Sequence, residues 1–328
     1  MKKPLHSILP ALLTTVALSF ASLANAQMAA TFPSKPLKII VPFGAGGIAD
    51  LTARTVGTKM AEILGQPVII ENKPGAGGIA AGDLVAKSEP DGTTLLLMSN
   101  GTAVTASLFK SLPYDTAKDF ATVSTLGFFD IALITKADSA YKTMAELLAF
   151  AKANPGMLNL GTINIGSTQN LAAELFKSTA GIEVQIVPFN GTPAVITALR
   201  GGQIDAAVEI LGPVKTQIDA KAINALAVMG LKRASSLPNV PTARESGLPS
   251  MNASSWNALA VSAKTPKDIV AKLHDAAATA LASPDVKNRL ADLGVEAGAS
   301  SPEVLGELLK AEIKRWGDVI ARANIPKQ

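Results

Sequence analysis

The chain is 328 residues long, carries a formal charge of +4 and has no cysteine. The absence of thiols excludes disulfides and thiolate chemistry, so an exported form must rely on a large core; so small a charge gives no reason to expect a nucleic-acid or membrane-surface partner. The length admits two domains of ordinary size, while an aromatic content of 4% leaves few stacking platforms for a sugar.

At the N-terminus, Lys2 and Lys3 precede an apolar run from Ile8 to Leu23, and Ala24-Asn25-Ala26 forms a small-x-small site. This pattern predicts a secretory signal peptide over residues 1–26, cleaved after Ala26 to leave Gln27 as the mature start. Loss of Lys2 and Lys3 lowers the formal charge from +4 to +2. No later run approaches the ~20 apolar residues of a membrane span, so no membrane insertion is expected after cleavage.

Beyond residue 33, short β-branched runs alternate with helical patterns, which predicts parallel α/β architecture. Strands are predicted over 37–42, 68–71, 94–98, 123–126, 131–135, 158–161, 183–188, 204–210, 224–229 and 257–262. Helices are predicted over 48–64, 78–88, 143–153, 168–179, 192–200 and 213–220. In the first of these, Ile48, Leu51, Val56, Met60 and Ile63 recur at roughly helical spacing and Gly65 closes the element. The C-terminal third reads as helix over 266–282, 284–293 and 302–323, each with a proline near its start. The Pro-rich passage from Leu237 to Pro249 reads as a packed crossing between domains.

Gly-Ala-Gly-Gly-Ile-Ala occurs twice, at 44–49 and 75–80. The first copy follows a buried-strand pattern and opens a helix, so its backbone N–H groups can hold an anion at the positive end of the helix dipole without a basic side chain. It also fits the dinucleotide pattern G-x-G-x-x-[GA], although Pro42 and Phe43 interrupt the turn, Glu71 is the best available acidic partner, and export removes the chain from reduced nicotinamide. The bland alternative is a tight turn. The second copy, after Glu71-Asn72-Lys73-Pro74, reads either as a Pro-Gly turn remote from any ligand or as part of the ligand wall. A third turn, Gly161 to Asn170, places Ser, Thr and N–H donors at another helix start, either as an ordinary cap or as a second anion cradle. Asp50, in the first turn of the first helix, reads as a cap or as a group near the ligand.

Catalysis finds no support. His274 is the only histidine after the signal segment, and no Ser-His-Asp set, Cys-His pair or metal-ligand spacing can be assembled. Asp205 and Glu209 lie four apart on a predicted strand and share a face; solvation or edge ion pairing is the ordinary reading, a glycosidase dyad the sharper one.

The order and spacing of several short motifs resemble the Bug-type receptors of tripartite tricarboxylate transporters. They include Pro42-Phe43-Gly44-Ala45-Gly46-Gly47-x-x-Asp50, Glu71-Asn72-Lys73-Pro74-Gly75-Ala76-Gly77-Gly78, Pro90-Asp91-Gly92-Thr93, Leu112-Pro113-Tyr114-Asp115, Val187-Pro188-Phe189, Gly201-Gly202-Gln203-Ile204-Asp205, Leu237-Pro238-Asn239-Val240-Pro241-Thr242 and Ser255-Trp256. The resemblance implies a periplasmic, monomeric, two-lobed (Venus flytrap) solute-binding protein, each lobe a mainly parallel sheet flanked by helices, with two inter-lobe crossings. It implies a first lobe of 27–127 plus 250–328 and a second of 128–249. It implies a small carboxylate held by backbone amides and waters of Phe43, Gly44, Ala45, Gly46 and Gly47, and by a second-lobe loop of Thr162, Ile163, Asn164, Ile165, Gly166, Ser167, Thr168 and Gln169. Pro188, Phe189, Asn190 and Gly191 lie nearby, and Asp50, Asn100 and Asp205 complete the candidate set. No catalytic residue, metal or cofactor is expected, and the partners are inner-membrane permease subunits.

Two departures bear on the ligand. Ile163-Asn164-Ile165-Gly166-Ser167, with Asn170 after it, replaces a more polar loop followed by His in many relatives, and Pro193 replaces a small residue. The more apolar loop favours a dicarboxylate or an aromatic carboxylate over citrate. Two alternatives are an NAD-linked oxidoreductase and a ligand-sensing receptor that feeds a signalling partner.

Overall fold

The structure is a computed structural model and describes residues 32–328 apart from 235 and 323; the predicted signal segment lies outside the described residues. Beyond residue 33 the chain alternates as expected. β1 (Leu37–Val41) leads to α1 (Ile48–Leu64), β2 (Val68–Asn72), a 3-10 turn at Ala76–Gly78, α2 (Ile79–Ala86), β3 (Thr94–Ser99) and α3 (Asn100–Leu108). β4 (Phe120–Lys136) is followed by α4 (Met144–Ala153), β5 (Leu158–Ile163), α5 (Thr168–Ala180), β6 (Val184–Phe189), α6 (Thr192–Arg200), β7 (Ala206–Ile210), α7 (Leu211–Asp219) and β8 (Ile223–Val228). The chain ends with β9 (Ser254–Ser262), α8 (Lys267–Ala282), α9 (Pro284–Asp292), β10 (Val295–Ala297) and α10 (Pro302–Arg322).

The strands run in the order β2-β1-β3-β9-β4-β7-β5-β6, with β8 and β10 also paired to β4. Two lobes follow from this order. Residues 120–130 of β4 pair with β9 in one lobe, and residues 131–136 pair with β7 and β8 in the other. The sheet is mixed rather than mainly parallel. β1, β2 and β3 pair in parallel, as do β5, β6 and β7, because helices return the chain to the same end of the sheet each time. Every pairing made by β4 or β9 is antiparallel; β4 runs from one lobe into the other, and β9 lies within the first.

The sequence pattern splits β4 into two strands because Gly127 and Asp130 interrupt its apolar run. In the structure the ladder absorbs them: the β4–β9 register shifts between Thr125 and Gly127, and β10 passes so close to Gly127 that a Cβ there would lie 2.8 Å from the Glu296 carbonyl oxygen. α1 buries Ile48, Val56 and Met60 of the expected stripe but not Leu51 or Ile63, and small residues complete the buried face. Ala49, Ala53, Val56, Gly57 and Met60 are buried, whereas Ile63 is 40% exposed. Small residues let the helix approach the sheet; a Cβ on Gly57 would stand 3.2 Å from Ile70 Cδ1. α3 escaped the sequence reading, since Asn100-Gly101 resembles a turn. Its start is fixed by a capping box, with the Ser99 hydroxyl accepting the Gly101 N–H at 3.1 Å and the Thr102 hydroxyl accepting the Ser99 N–H at 3.1 Å.

α10 packs on α3 and β4 and buries Trp316 completely. Its indole N–H donates to Asn100 Oδ1 at 2.8 Å, the partner a buried indole requires. His274 lies on α8 with Nδ1 3.2 Å from the Val123 carbonyl, packed against the lobe rather than in the cleft. Among the described residues no helix is long and apolar enough to cross a membrane.

Candidate functional site

Four strand-to-helix turns meet where the lobes face each other. In the β1–α1 turn, Gly46 takes φ +81°, a conformation that favours glycine. Asp50 holds that turn from behind: its Oδ2 accepts the Gly46 N–H at 3.0 Å and the Arg54 Nε–H at 3.1 Å. Arg54 also donates to Asn72 Oδ1 at 3.1 Å, and Asn72 Nδ2 donates to the Phe43 carbonyl at 3.1 Å. Burial works to raise the Asp50 pKa, but the hydrogen bonds from Arg54, Gly46 and Asn72 outweigh it and hold the carboxyl below its usual range. Asp50 is therefore a cap with a fixed counter-ion. Its pairing removes Gly46 N–H from the cradle and leaves the first-turn amides of α1, which no helical carbonyl can satisfy.

The opposing lobe supplies the β5–α5 and β6–α6 turns. Ser167 caps α5, its hydroxyl accepting the Asn170 N–H at 3.1 Å, and Gly166 takes φ +81°. Gly191, at φ +119°, precedes α6 and packs on Gly44, the ideal Cβ of Gly191 lying 3.4 Å from Gly44 Cα. Pro193 reaches the same contact: a Cβ on Gly46 would stand 3.2 Å from Pro193 Cγ. The second glycine turn also meets the far lobe, through Gly77 N–H to the Ile165 carbonyl at 2.7 Å. Thr105 Oγ1 lies 2.9 Å from the Gly77 carbonyl and 3.4 Å from that of Gly166. Ser255 on β9 and Thr168 on α5 share a hydroxyl contact of 3.1 Å. The lobes are closed on one another.

Between them lie two chambers separated by Phe43. The first is a narrow cleft, partly open to solvent, with a cavity volume of about 20 Å³, room for little more than a water molecule while the lobes are closed. It is walled by Phe43, Gly44, Gly47, Ile48 and Ala49 from the β1–α1 turn, and by Ile163, Thr168, Gln169, Gly191 and Thr192 from the other lobe. Ser99, Phe129, Ile210, Ser255 and Asn257 complete it. Among the described residues no Lys or Arg lines it, and the first turns of α1, α5 and α6 all open onto it. The second chamber, a smaller cavity of about 10 Å³, lies between Gly77, Gly78 and Tyr114 on one side and Asn164, Ile165, Gly166 and Ser167 on the other.

The candidate residues thus divide. Phe43, Gly44, Gly47, Ile163, Thr168, Gln169 and Gly191 reach the first chamber, and Asn164 to Ser167 the second. Ala45 and Gly46 are exposed at the outer rim. Thr162 is buried and accepts the Asn170 amide at 3.3 Å. Asn190 brings its backbone against Gly44, Phe189 packs into the lobe core, and Pro188 is exposed. Asn100 is turned away, its side chain bound to Trp316 and to the Ser254 carbonyl. Asp205 does not join the set: it accepts the Asn159 N–H at 2.8 Å at the far end of β7, about 13 Å along a strand from Glu209.

Sequence reasoning missed Ile48, Ala49, Ser99, Phe129, Thr192, Ile210, Ser255 and Asn257. Ser255 belonged to a quoted motif, but nothing in sequence tied it to Thr168. Glu209 is the larger correction: it is fully buried rather than solvated, and burial pushes its carboxyl up to about 7 despite hydrogen bonds from Thr192, Gln169 and the Ile210 N–H. An acid inside the apolar run Ala206–Ile210 was the available signal.

A protein-family model described as the tripartite tricarboxylate transporter family receptor (TctC) matches residues 52–325. The chain belongs to this family. TctC proteins are solute-binding receptors, so the chain is a receptor rather than an enzyme, and the oxidoreductase alternative is set aside. A relative from Pseudomonas sp. strain P51, described as a UPF0065 protein in the tcbD-tcbE intergenic region, is 35% identical over 305 residues, 93% of this chain and 91% of that protein. Among solved structures, MatC from Rhodopseudomonas palustris with bound malate has a TM-score of 0.85 at 34% identity, covering 88% of this chain and 100% of that one. A second R. palustris protein, solved with adipate, has a TM-score of 0.86 at 31% identity, covering 90% and 99%.

Proposed function

We propose that this TctC-family receptor works in the periplasm, captures a small dicarboxylate with a hydrocarbon middle in the first chamber, and delivers it as a monomer to an inner-membrane permease. The observation that carries this reading is the convergence of three helix N-termini on one inter-lobe cleft that no cationic side chain lines among the described residues. Amide dipoles stabilise a carboxylate there, each helix end contributing roughly half a positive charge. Phe43, Phe129, Ile48, Ile163 and Ile210 offer apolar surface to the carbon chain between the acid groups. The malate and adipate of the two R. palustris structures are dicarboxylates, which supports the same class here.

In this reading the first lobe comprises 27–127 and 250–328 and the second 128–249, a boundary that falls within β4 three residues before its pairing passes from β9 to β7, and the signal segment 1–26 directs export. The ligand docks first on the α1 amides, and donors from α5 and α6 complete its shell, so that the extra contacts favour the closed state. Calorimetry of the mature protein against aliphatic dicarboxylates, aromatic acids, sugars and amines tests it. Micromolar binding of at least one dicarboxylate is expected. Binding of sugars or amines alone would overturn the reading, and preference for an aromatic acid would move the assignment to that class.

A further inference from the structure

Glu209 stands one layer behind the wall of the first chamber, and nothing in the carboxylate cradle described above uses it. Its Oε2 accepts from Thr192 Oγ1 at 3.1 Å, from the Ile210 N–H at 3.2 Å and from Gln169 Nε2 at 3.5 Å, and all three of these residues line the chamber. Glu209 Oε1 is buried without a partner among the described residues. Thr192 Oγ1 bridges two environments. On one side it meets Glu209, and on the other it faces the first-lobe cradle, 3.5 Å from where a Cβ on Gly47 would stand.

A hydroxyl group has one proton to give. Ionised Glu209 can only accept, so Thr192 commits its proton to Oε2 and turns lone pairs toward the chamber. A ligand carboxylate also offers only lone pairs, and the two repel. Protonated Glu209 can donate to Thr192 Oγ1, which frees the Thr192 proton to point at the ligand.

We infer that Glu209 is a positioning residue operated by a proton: its protonation reverses the Thr192 hydroxyl, converts that part of the wall from acceptor to donor, and couples carboxylate binding to the uptake of one proton. The inference rests on the carboxylate reading above. One proton passes from solvent to Glu209, the ligand binds ionised, and the Thr192 O–H bond rotates without breaking. The elements packed on β7 carry Asp130 and Lys136 on β4, Glu174 and Lys177 on α5, Arg200 on α6, and Lys215 and Asp219 on α7. Among the described residues none of these is hydrogen-bonded or ion-paired to Glu209, so no fixed charge holds it in either state. Burial places its titration near neutrality, where a proton can be exchanged.

The test is calorimetry with adipate, malate and benzoate as probes between about pH 6.5 and about pH 8.5, in buffers of different ionisation enthalpy. For the wild type, Kd should rise up to about tenfold per pH unit above neutrality, with about one proton taken up per ligand bound. Glu209→Gln, whose amide donates permanently, should bind with the same Kd at both ends of the range. Thr192→Val should lose the slope and Thr192→Ser should keep it, which holds the inference testable even if Glu209→Gln does not fold. A wild-type Kd that is independent of pH, or a slope retained in Thr192→Val, overturns the inference alone. Failure of every probe to bind at about pH 6.5 overturns the carboxylate reading, and this inference with it.

Discussion

The Gly77 N–H donates to the Ile165 carbonyl at 2.7 Å, tying the second glycine turn of one lobe directly to the β5–α5 turn of the other. The first copy of the hexapeptide does the same work by contact, Gly44 lying against Asn190 and Gly191. Both copies therefore serve closure, and at Gly44 and Gly77 the backbone of one lobe meets that of the other.

Gly44→Ala probes that closure. Gly44 has no left-handed backbone, so the fold tolerates a methyl group, but the added Cβ would collide with the Asn190 carbonyl oxygen. Overpacking of this kind costs about 1–3 kcal/mol, which predicts roughly tenfold to hundredfold weaker ligand binding with an unchanged melting temperature of the free protein. X-ray scattering should find the variant open at ligand concentrations that close the wild type. An unaltered Kd would show that the contact is not needed for binding.

Asp50→Asn separates capping from ligand contact. Because its folded pKa is depressed, the Asp50 carboxylate contributes stability that is present above its ordinary value of 3.8 and lost as the pH falls through the lowered one. Asp50→Asn should cost about 1–3 kcal/mol at neutral pH, with the deficit shrinking in acid. Urea melts of both proteins at neutral and acid pH check this; a deficit that persists unchanged in acid would contradict it.

For Glu209 the sign is opposite. Its pKa is raised from 4.5 to about 7, so between those values the native state holds a proton that the unfolded chain has released, and stability falls as the pH rises through that window. The total is roughly 3 kcal/mol. Glu209→Gln should therefore gain on the wild type by up to that amount between about pH 5 and about pH 8. Parallel stability profiles of the two proteins would place Glu209 in a wetter setting than its burial indicates.

Asn100→Ala addresses a residue that sequence reasoning grouped with the ligand set. Its loss strands the buried Trp316 N–H, at a cost of about 1–3 kcal/mol, while adipate affinity measured by calorimetry stays within about twofold. A large loss of affinity at unchanged stability would return Asn100 to the site.

The helix-opening glycine turns were legible because the doubled hexapeptide, the Ser167 cap and the apolar strands before them are local patterns. What faces what was not. Nothing within a few residues of Thr192 says that its hydroxyl spans the gap between Gly47 and Glu209, and Ser255 reaches Thr168 across 87 positions. The α/β alternation was readable, but the antiparallel pairings of β4 and β9 depend on where the chain passes between the lobes, which side-chain period does not encode. Gly127 hid the continuity of β4 because a bulge and a strand end share one sequence signature.

β4 has a consequence for how the protein comes apart. One strand is an interior member of the sheet in both lobes, so unfolding either lobe strips a central partner from the other. The molecule should melt as a single cooperative unit despite its hinged shape, and neither half should survive when expressed alone.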